Sequence, residues 1–166
     1  MFNFDFYNPT RIVFGKGTIA RLPDVLPRDG KVLMTYGGGS IKRNGVYDQT
    51  MAALTGYDVA EFGGIEPNPR YETLMRAVEV CKEESVAFLL AVGGGSVVDG
   101  TKFVAAAVPF PGPEPWDILR KNAPVHTAVP LDCTPTLTAP GPNAHVDSAT
   151  SREWAREGVD ITAEPV

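Results

Sequence analysis

Twice in this chain an apolar run of strand length ends in Gly-Gly-Gly-Ser and then gives way to a helical pattern. Lys31–Tyr36 (KVLMTY) leads into Gly37, Gly38, Gly39 and Ser40; Phe88–Val92 (FLLAV) leads into Gly93, Gly94, Gly95 and Ser96. Glycine tolerates positive φ and lets a backbone approach a ligand closely. A helix start carries unsatisfied N–H groups and partial positive charge, so glycine turns between a strand and a helix suit an anionic phosphate. Each copy has a plain structural reading, because tight strand-to-helix turns use glycine anyway and GGGS alone also occurs as a flexible linker. Two copies in the same context favour the functional reading. Neither copy is a G-x-G-x-x-G fingerprint or a P-loop, so the site is of another type.

The flanking pattern alternates. Arg11–Phe14 reads as a strand, Gly17–Leu26 as a short helix, Gly45–Leu54 as a helix and Val59–Phe62 as a strand. Asn68 and Pro69 look like an N-cap and first turn for a helix over residues 70–84, where Leu74, Val78 and Cys81 fall on one face. Glu72, Arg76, Glu79 and Lys82 take the opposite face. Val86–Val92 is a continuous apolar run, as expected of a strand buried on both faces. Residues 96–108 read as a helix, and Ala128–Leu131 as a further strand. Alternation of this kind predicts an α/β fold, a Rossmann-like parallel sheet with flanking helices.

Proline divides the chain. Five of the 15 prolines lie in residues 1–107 and ten in the last 59. Proline removes a backbone donor and breaks helices, so the expected organisation is a dinucleotide-binding domain over 1–135 and an irregular, Pro-rich tail over 136–166. The 166 residues are enough for one core. A net charge of −5 argues against nucleic acid or a membrane surface as partner. Two cysteines make no disulfide framework and, with no recognisable targeting segment or apolar run of membrane length, suggest a soluble cytoplasmic protein.

Several charged residues stand beside the glycine turns. Ser96 and Asp99 spell a capping box; Asp99 either holds the Ser96 amide or helps orient a ligand, and the two readings are compatible. Lys102, one turn on, is either a solvated helix residue or a ligand contact. The first turn carries no acid and is followed by Lys42 and Arg43. A carboxylate at a ribose accepts from its 2′-OH and repels a 2′-phosphate, so this turn favours NADP if it meets the adenosine; the other reading makes both cations ordinary surface charges.

The chain resembles the iron-containing (group III) alcohol dehydrogenases, especially the branch of butanol dehydrogenases and NADPH-dependent aldehyde reductases. The resemblance is carried in order by residues 8–17 (NPTRIVFGKG), 36–40 (YGGGS), 62–69 (FGGIEPNP), 91–102 (AVGGGSVVDGTK) and 115–119 (PWDIL). It implies a Rossmann-like domain followed by a helical domain that this chain lacks, with the nucleotide between them. Gly37–Ser40 would then meet the adenosine end, Gly93–Ser96 the pyrophosphate, and Asp99 the length of the cofactor. Thr136 and Thr138 would belong to the next cofactor loop. Gly39 stands where NAD-preferring relatives carry an acid, which supports NADP, with NAD as the alternative. That loop departs from the family's T-L-P-A-T-G-S-E, with Pro140, Pro142 and Asn143 replacing a threonine, a serine and a glutamate.

The family binds a divalent iron or zinc through an aspartate and three histidines on the helical domain. Here there are two histidines, His126 and His145, and neither sits in a ligand-spaced cluster, so no metal-binding and no catalytic residue is expected in this chain. The expected function is the nucleotide-binding half of an enzyme that moves hydride between NADP(H) and a primary alcohol or aldehyde, inactive alone. The alternatives are a stand-alone nucleotide-binding module, a split-enzyme subunit, or a truncated frame without function. Apolar surface left by the absent half predicts self-association.

Overall fold

The computed structural model describes residues 11–136 and the backbone of 148–150. Six strands form one sheet in the order β1-β6-β5-β4-β2-β3. They are β1 (Arg11–Val13), β2 (Lys31–Tyr36), β3 (Val59–Phe62), β4 (Val86–Gly93), β5 (Leu131–Pro135) and β6 (Ser148–Thr150). Strands β2, β3, β4 and β5 run parallel, as the alternating pattern predicts. β6 runs antiparallel to both β5 and β1. It comes from the segment expected to be irregular, and it is three residues long.

Helices cover both faces. A 3-10 helix (Thr18–Asp24), α1 (Ser40–Arg43) and α2 (Val46–Ala53) lie on one side, packed over Val32, Met34, Phe88, Leu90 and Val92. On the other side α3 (Tyr71–Glu83) and α4 (Gly95–Ala107) pack over Leu33, Leu89, Ala91, Leu131 and Cys133. α5 (Asp117–Arg120) adds Ile118 to that second core. Burial on both faces explains the unbroken apolar run of β4, in which only Ala87 is exposed. Thr73, Leu74, Ala77, Val78 and Cys81 form the buried stripe of α3, the face its sequence spacing marks as apolar.

The short helix read over 17–26 forms as a 3-10 helix over Thr18–Asp24; Pro23 lies within it and has no N–H to donate. Three local expectations are corrected. Asn68 does not cap α3. It adopts φ 55, and Arg70 takes the N-cap place in an extended conformation; Asn is among the few residues that tolerate that left-handed region. Ser96 does not cap α4, which starts at Gly95 with Gly94 as N-cap and no side-chain cap bond. The fifth strand runs over 131–135 rather than 128–131, because Val129 donates its N–H to Ala105 of α4 (2.9 Å) and the sheet is joined only when Leu89 donates to Pro130 (2.9 Å).

The order β5-β4-β2-β3 contains a switch point. From β2 the chain crosses to β3 on one side, through α1 and α2 over one face. From β4 it crosses to β5 on the other side, through α4 over the opposite face. The two connections part from neighbouring strand ends and leave a crevice between them, the usual ligand position in an open α/β sheet.

Candidate functional site

Both glycine turns open from that crevice. β2 and β4 are parallel neighbours in register Tyr36 with Val92, so Gly37 and Gly93 leave the sheet side by side. β5 ends at the same level, Pro135 opposite Gly93, and Thr136 donates its N–H to the Gly93 carbonyl at 2.9 Å. The structure thus brings together Gly37–Ser40, Gly93–Ser96 and Thr136. Thr138 lies outside the described residues, as do His145 and the divergent 139–143 segment.

The glycines differ in what requires them. A Cβ on Gly93 would come 2.7 Å from Val97, and one on Gly37 would meet the Ile65 carbonyl at 3.2 Å. Gly39 has φ +91, a conformation side chains avoid. Gly38, Gly94 and Gly95 are another matter. Among the described residues nothing lies within 4 Å of a Cβ at any of them, and none has a positive φ. Neither packing among the described residues nor backbone geometry asks for glycine at these three places, and their backbone is left open to close approach.

A third segment closes one side. Gly64 donates its N–H to the Gly37 carbonyl (3.1 Å) and Ile65 to that of Tyr36 (3.2 Å), laying residues 63–69 against the first turn. Asn68 then donates its N–H to Ser96 Oγ at 3.3 Å. The serine read as a cap instead ties this segment to the second turn. The first turn of α4 is closed by the N–H groups of Val97 and Val98 on the Gly94 carbonyl, at 3.0 and 3.2 Å. The α4 start therefore offers the amides of Gly95 and Ser96 toward the crevice end.

Asp99 and Lys102 are both exposed on α4. Asp99 does not act as the cap partner read from the sequence, since α4 has no side-chain cap bond. Burial pushes the Cys133 thiol up to about 11, an effect Lys102 opposes and Asp132 and Asp99 reinforce. Burial alone pushes Cys81 up to about 12. Both thiols stay protonated at neutral pH and offer no nucleophile. His126 is exposed in the loop before β5. Among the described residues no group of three or more His, Cys, Asp or Glu side chains could hold a metal ion, so they do not fit the metal the resemblance implies. Among those residues, too, no helix is long and apolar enough to cross a membrane.

Sequence reasoning missed two features. Thr35 and Thr101 share a buried hydrogen bond of 2.6 Å, and Thr101 donates to the Val97 carbonyl at 2.7 Å, linking β2 to α4 beneath the turns. Tyr36, Lys42, Tyr47 and Glu61 cluster beside the first turn. Buried threonines in otherwise apolar segments were a signal for the first; the second needs the fold.

Comparison with known proteins gives a consistent picture. The family model described as iron-containing alcohol dehydrogenase matches residues 9–150. The NADPH-dependent aldehyde reductase YqhD of Escherichia coli K12 is 54% identical over 155 residues, covering 92% of this chain and 40% of that protein. The probable NADH-dependent butanol dehydrogenase 1 of Bacillus subtilis 168 is 45% identical over 160 residues, covering 95% and 41%. The crystal structure of NADH-dependent butanol dehydrogenase A from Thermotoga maritima superposes with a TM-score of 0.78 at 45% identity, covering 82% of this chain and 35% of that one. The chain spans about two fifths of the length of the curated relatives it matches.

Proposed function

The chain belongs to the iron-containing alcohol dehydrogenase family, and from that premise we propose that residues 1–135 are its dinucleotide-binding half, with NADP(H) preferred. The observation that carries the reading is the trio Gly38, Gly94 and Gly95, glycines at adjacent strand ends with open space around them among the described residues and no positive φ to require them. In this reading the amides of Gly93–Ser96 hold the diphosphate and Gly37–Ser40 meet the adenosine side. Asp99 and Thr136 border the bound cofactor, and Thr138 continues that border. The cofactor, when bound, carries the hydride; the chain's own part is to hold and orient it.

The parent reaction is hydride exchange between NADP(H) and a primary alcohol or aldehyde; the relatives' names carry the alcohol and aldehyde chemistry and divide between NADPH and NADH as cofactor. It needs a group that polarises the carbonyl. No described residue fills that role, and the 166 residues by themselves are proposed to bind without turnover. Titration with NADP⁺, followed by tryptophan fluorescence, should saturate. The same protein given NADPH, butyraldehyde and Fe²⁺ or Zn²⁺ should oxidise NADPH no faster than a blank. Absence of saturable binding at millimolar ligand defeats the binding reading; steady turnover defeats the claim of silence.

The exposed Ile12, Phe14, Trp116 and Leu119, between 41% and 63% accessible, support self-association as a further part of the proposal. Light scattering at micromolar protein should give a mass above that of a monomer, and a monodisperse monomer speaks against it.

A further inference from the structure

Beside the first glycine turn, on the α1–α2 face of the sheet, four side chains from four elements close on one another. Tyr36 ends β2, Lys42 belongs to α1, Tyr47 to α2 and Glu61 to β3. The two phenols donate to the two oxygens of one carboxylate: Tyr47 to Glu61 Oε1 at 2.8 Å and Tyr36 to Oε2 at 3.2 Å. Their rings meet edge to face, with centroids 6.2 Å apart. The Lys42 ammonium lies 5.1 Å from the centre of the Tyr36 ring and 4.6 Å from that of Tyr47. Tyr36 occupies this place because residue 63 is glycine; a Cβ there would sit 2.5 Å from the ring.

The position has a chemical meaning. An acid beside a nucleotide's ribose accepts from a 2′-hydroxyl and repels a 2′-phosphate. Glu61 stands on β3, the parallel neighbour of β2, and its bond to Tyr36 places it beside the first turn, on the side assigned above to the adenosine. Yet this acid is not free to act as the rule describes. Each oxygen already takes a phenol hydrogen, and a lysine is braced against the same two rings. The Tyr36 phenol, with further help from Tyr47 and Glu61, holds the Lys42 ammonium above its ordinary value, so it stays charged at any working pH. Arg43, the next cation, is exposed.

We infer that the Tyr36–Lys42–Tyr47–Glu61 cluster sets the choice between NADP and NAD, with Lys42 attracting a 2′-phosphate and Glu61 limiting that preference as its counterweight. The two tyrosines are positioning residues: they hold both charges at the turn without joining them in a direct ion pair. The preference is therefore tunable in both directions by single changes. This inference rests on the dinucleotide reading above.

The test is calorimetric titration of the full chain with NADP⁺ and with NAD⁺, which differ only at the 2′ position, for the parent, Lys42→Met and Glu61→Gln. Lys42→Met should weaken NADP⁺ about fivefold and leave NAD⁺ within about twofold, the scale of an exposed charge pair. Glu61→Gln should raise the ratio of NADP⁺ to NAD⁺ affinity by a similar factor. Both shifts should shrink as salt is raised. The ratio is the readout, so a variant that loosens the fold and weakens both ligands alike does not mimic the effect. If either variant leaves the ratio within about twofold of the parent, the inference is overturned and the dinucleotide site stands. If the parent binds neither cofactor, both readings fall together.

Discussion

At the scale of single residues, the glycines separate into those the fold requires and those it does not. Gly93 is required, because Val97 of the following helix turn packs where its side chain would go. Gly93→Ala should cost about 1–3 kcal/mol of stability, the usual penalty for forcing a methyl into a filled space. Gly95→Ala should do the opposite. Position 95 opens α4 and has room for a methyl, and alanine is the better helix former. Its melting temperature should hold or rise while NADP⁺ affinity drops at least about tenfold, as a methyl placed against a diphosphate blocks close approach. Thermal melts and fluorescence titration of the two variants check this. A Gly95→Ala protein that binds as the parent does would remove the argument from superfluous glycines. The glycine turns themselves were legible in the sequence, because local chemistry and a repeat in identical context suffice to mark them. The Lys42 cluster was not legible. Tyr36 and Glu61 meet only because β2 and β3 are parallel neighbours, and Tyr47 joins them only because α2 folds back over the same face.

Among the elements, the bond between Thr35 and Thr101 joins the strand that feeds the first glycine turn to the helix that follows the second. Both side chains are fully buried. Thr101→Val keeps the shape but leaves the Thr35 hydroxyl only its long 3.5 Å bond to the Leu90 carbonyl, and a buried hydroxyl so poorly partnered costs about 1 kcal/mol. The double variant Thr35→Val with Thr101→Val should recover most of that loss, since two apolar side chains ask for no partner. Urea unfolding of the single and double variants measures the difference, and a single variant as stable as the parent would refute it. Element boundaries also show where sequence patterns run out. β2, α3, β4 and α4 follow their patterns closely because each buries a continuous apolar face, and β3 and α2 keep their expected places with less burial. β5 does not, since its start depends on Val129 bonding to α4 before the chain reaches the sheet. Asn68 likewise reads as a cap by local chemistry, yet its amide is drawn to Ser96 across the crevice. Local preferences worth about 1 kcal/mol yield to such tertiary contacts.

Taken as a whole, the molecule is two cores on one sheet, and both cysteines lie in the same core. Cys81 faces inward from α3 and Cys133 from β5, among Leu33, Leu89 and Val104. Their thiols therefore report on the unity of that core rather than on chemistry at the crevice. Burial raises their pKa values to about 12 and about 11, while an unfolded thiol ionises near about 8.5. The native state thus keeps protons that the unfolded state gives up once pH passes the unfolded value. Stability contributed by the protonated thiols is full below about pH 8.5 and is lost as pH climbs toward the folded values. The urea midpoint should be level through neutrality and then fall steadily above about pH 9. Cys133→Ala should lower the overall stability by removing packed volume, yet make that alkaline slope shallower, because one proton-linked site is gone. In the parent, both thiols should react with an alkylating reagent at one common rate that rises with urea in step with unfolding. If Cys133 reacts freely under native conditions while Cys81 stays protected, β5 opens apart from the α3 side, and the single cooperative core fails as a description of this chain.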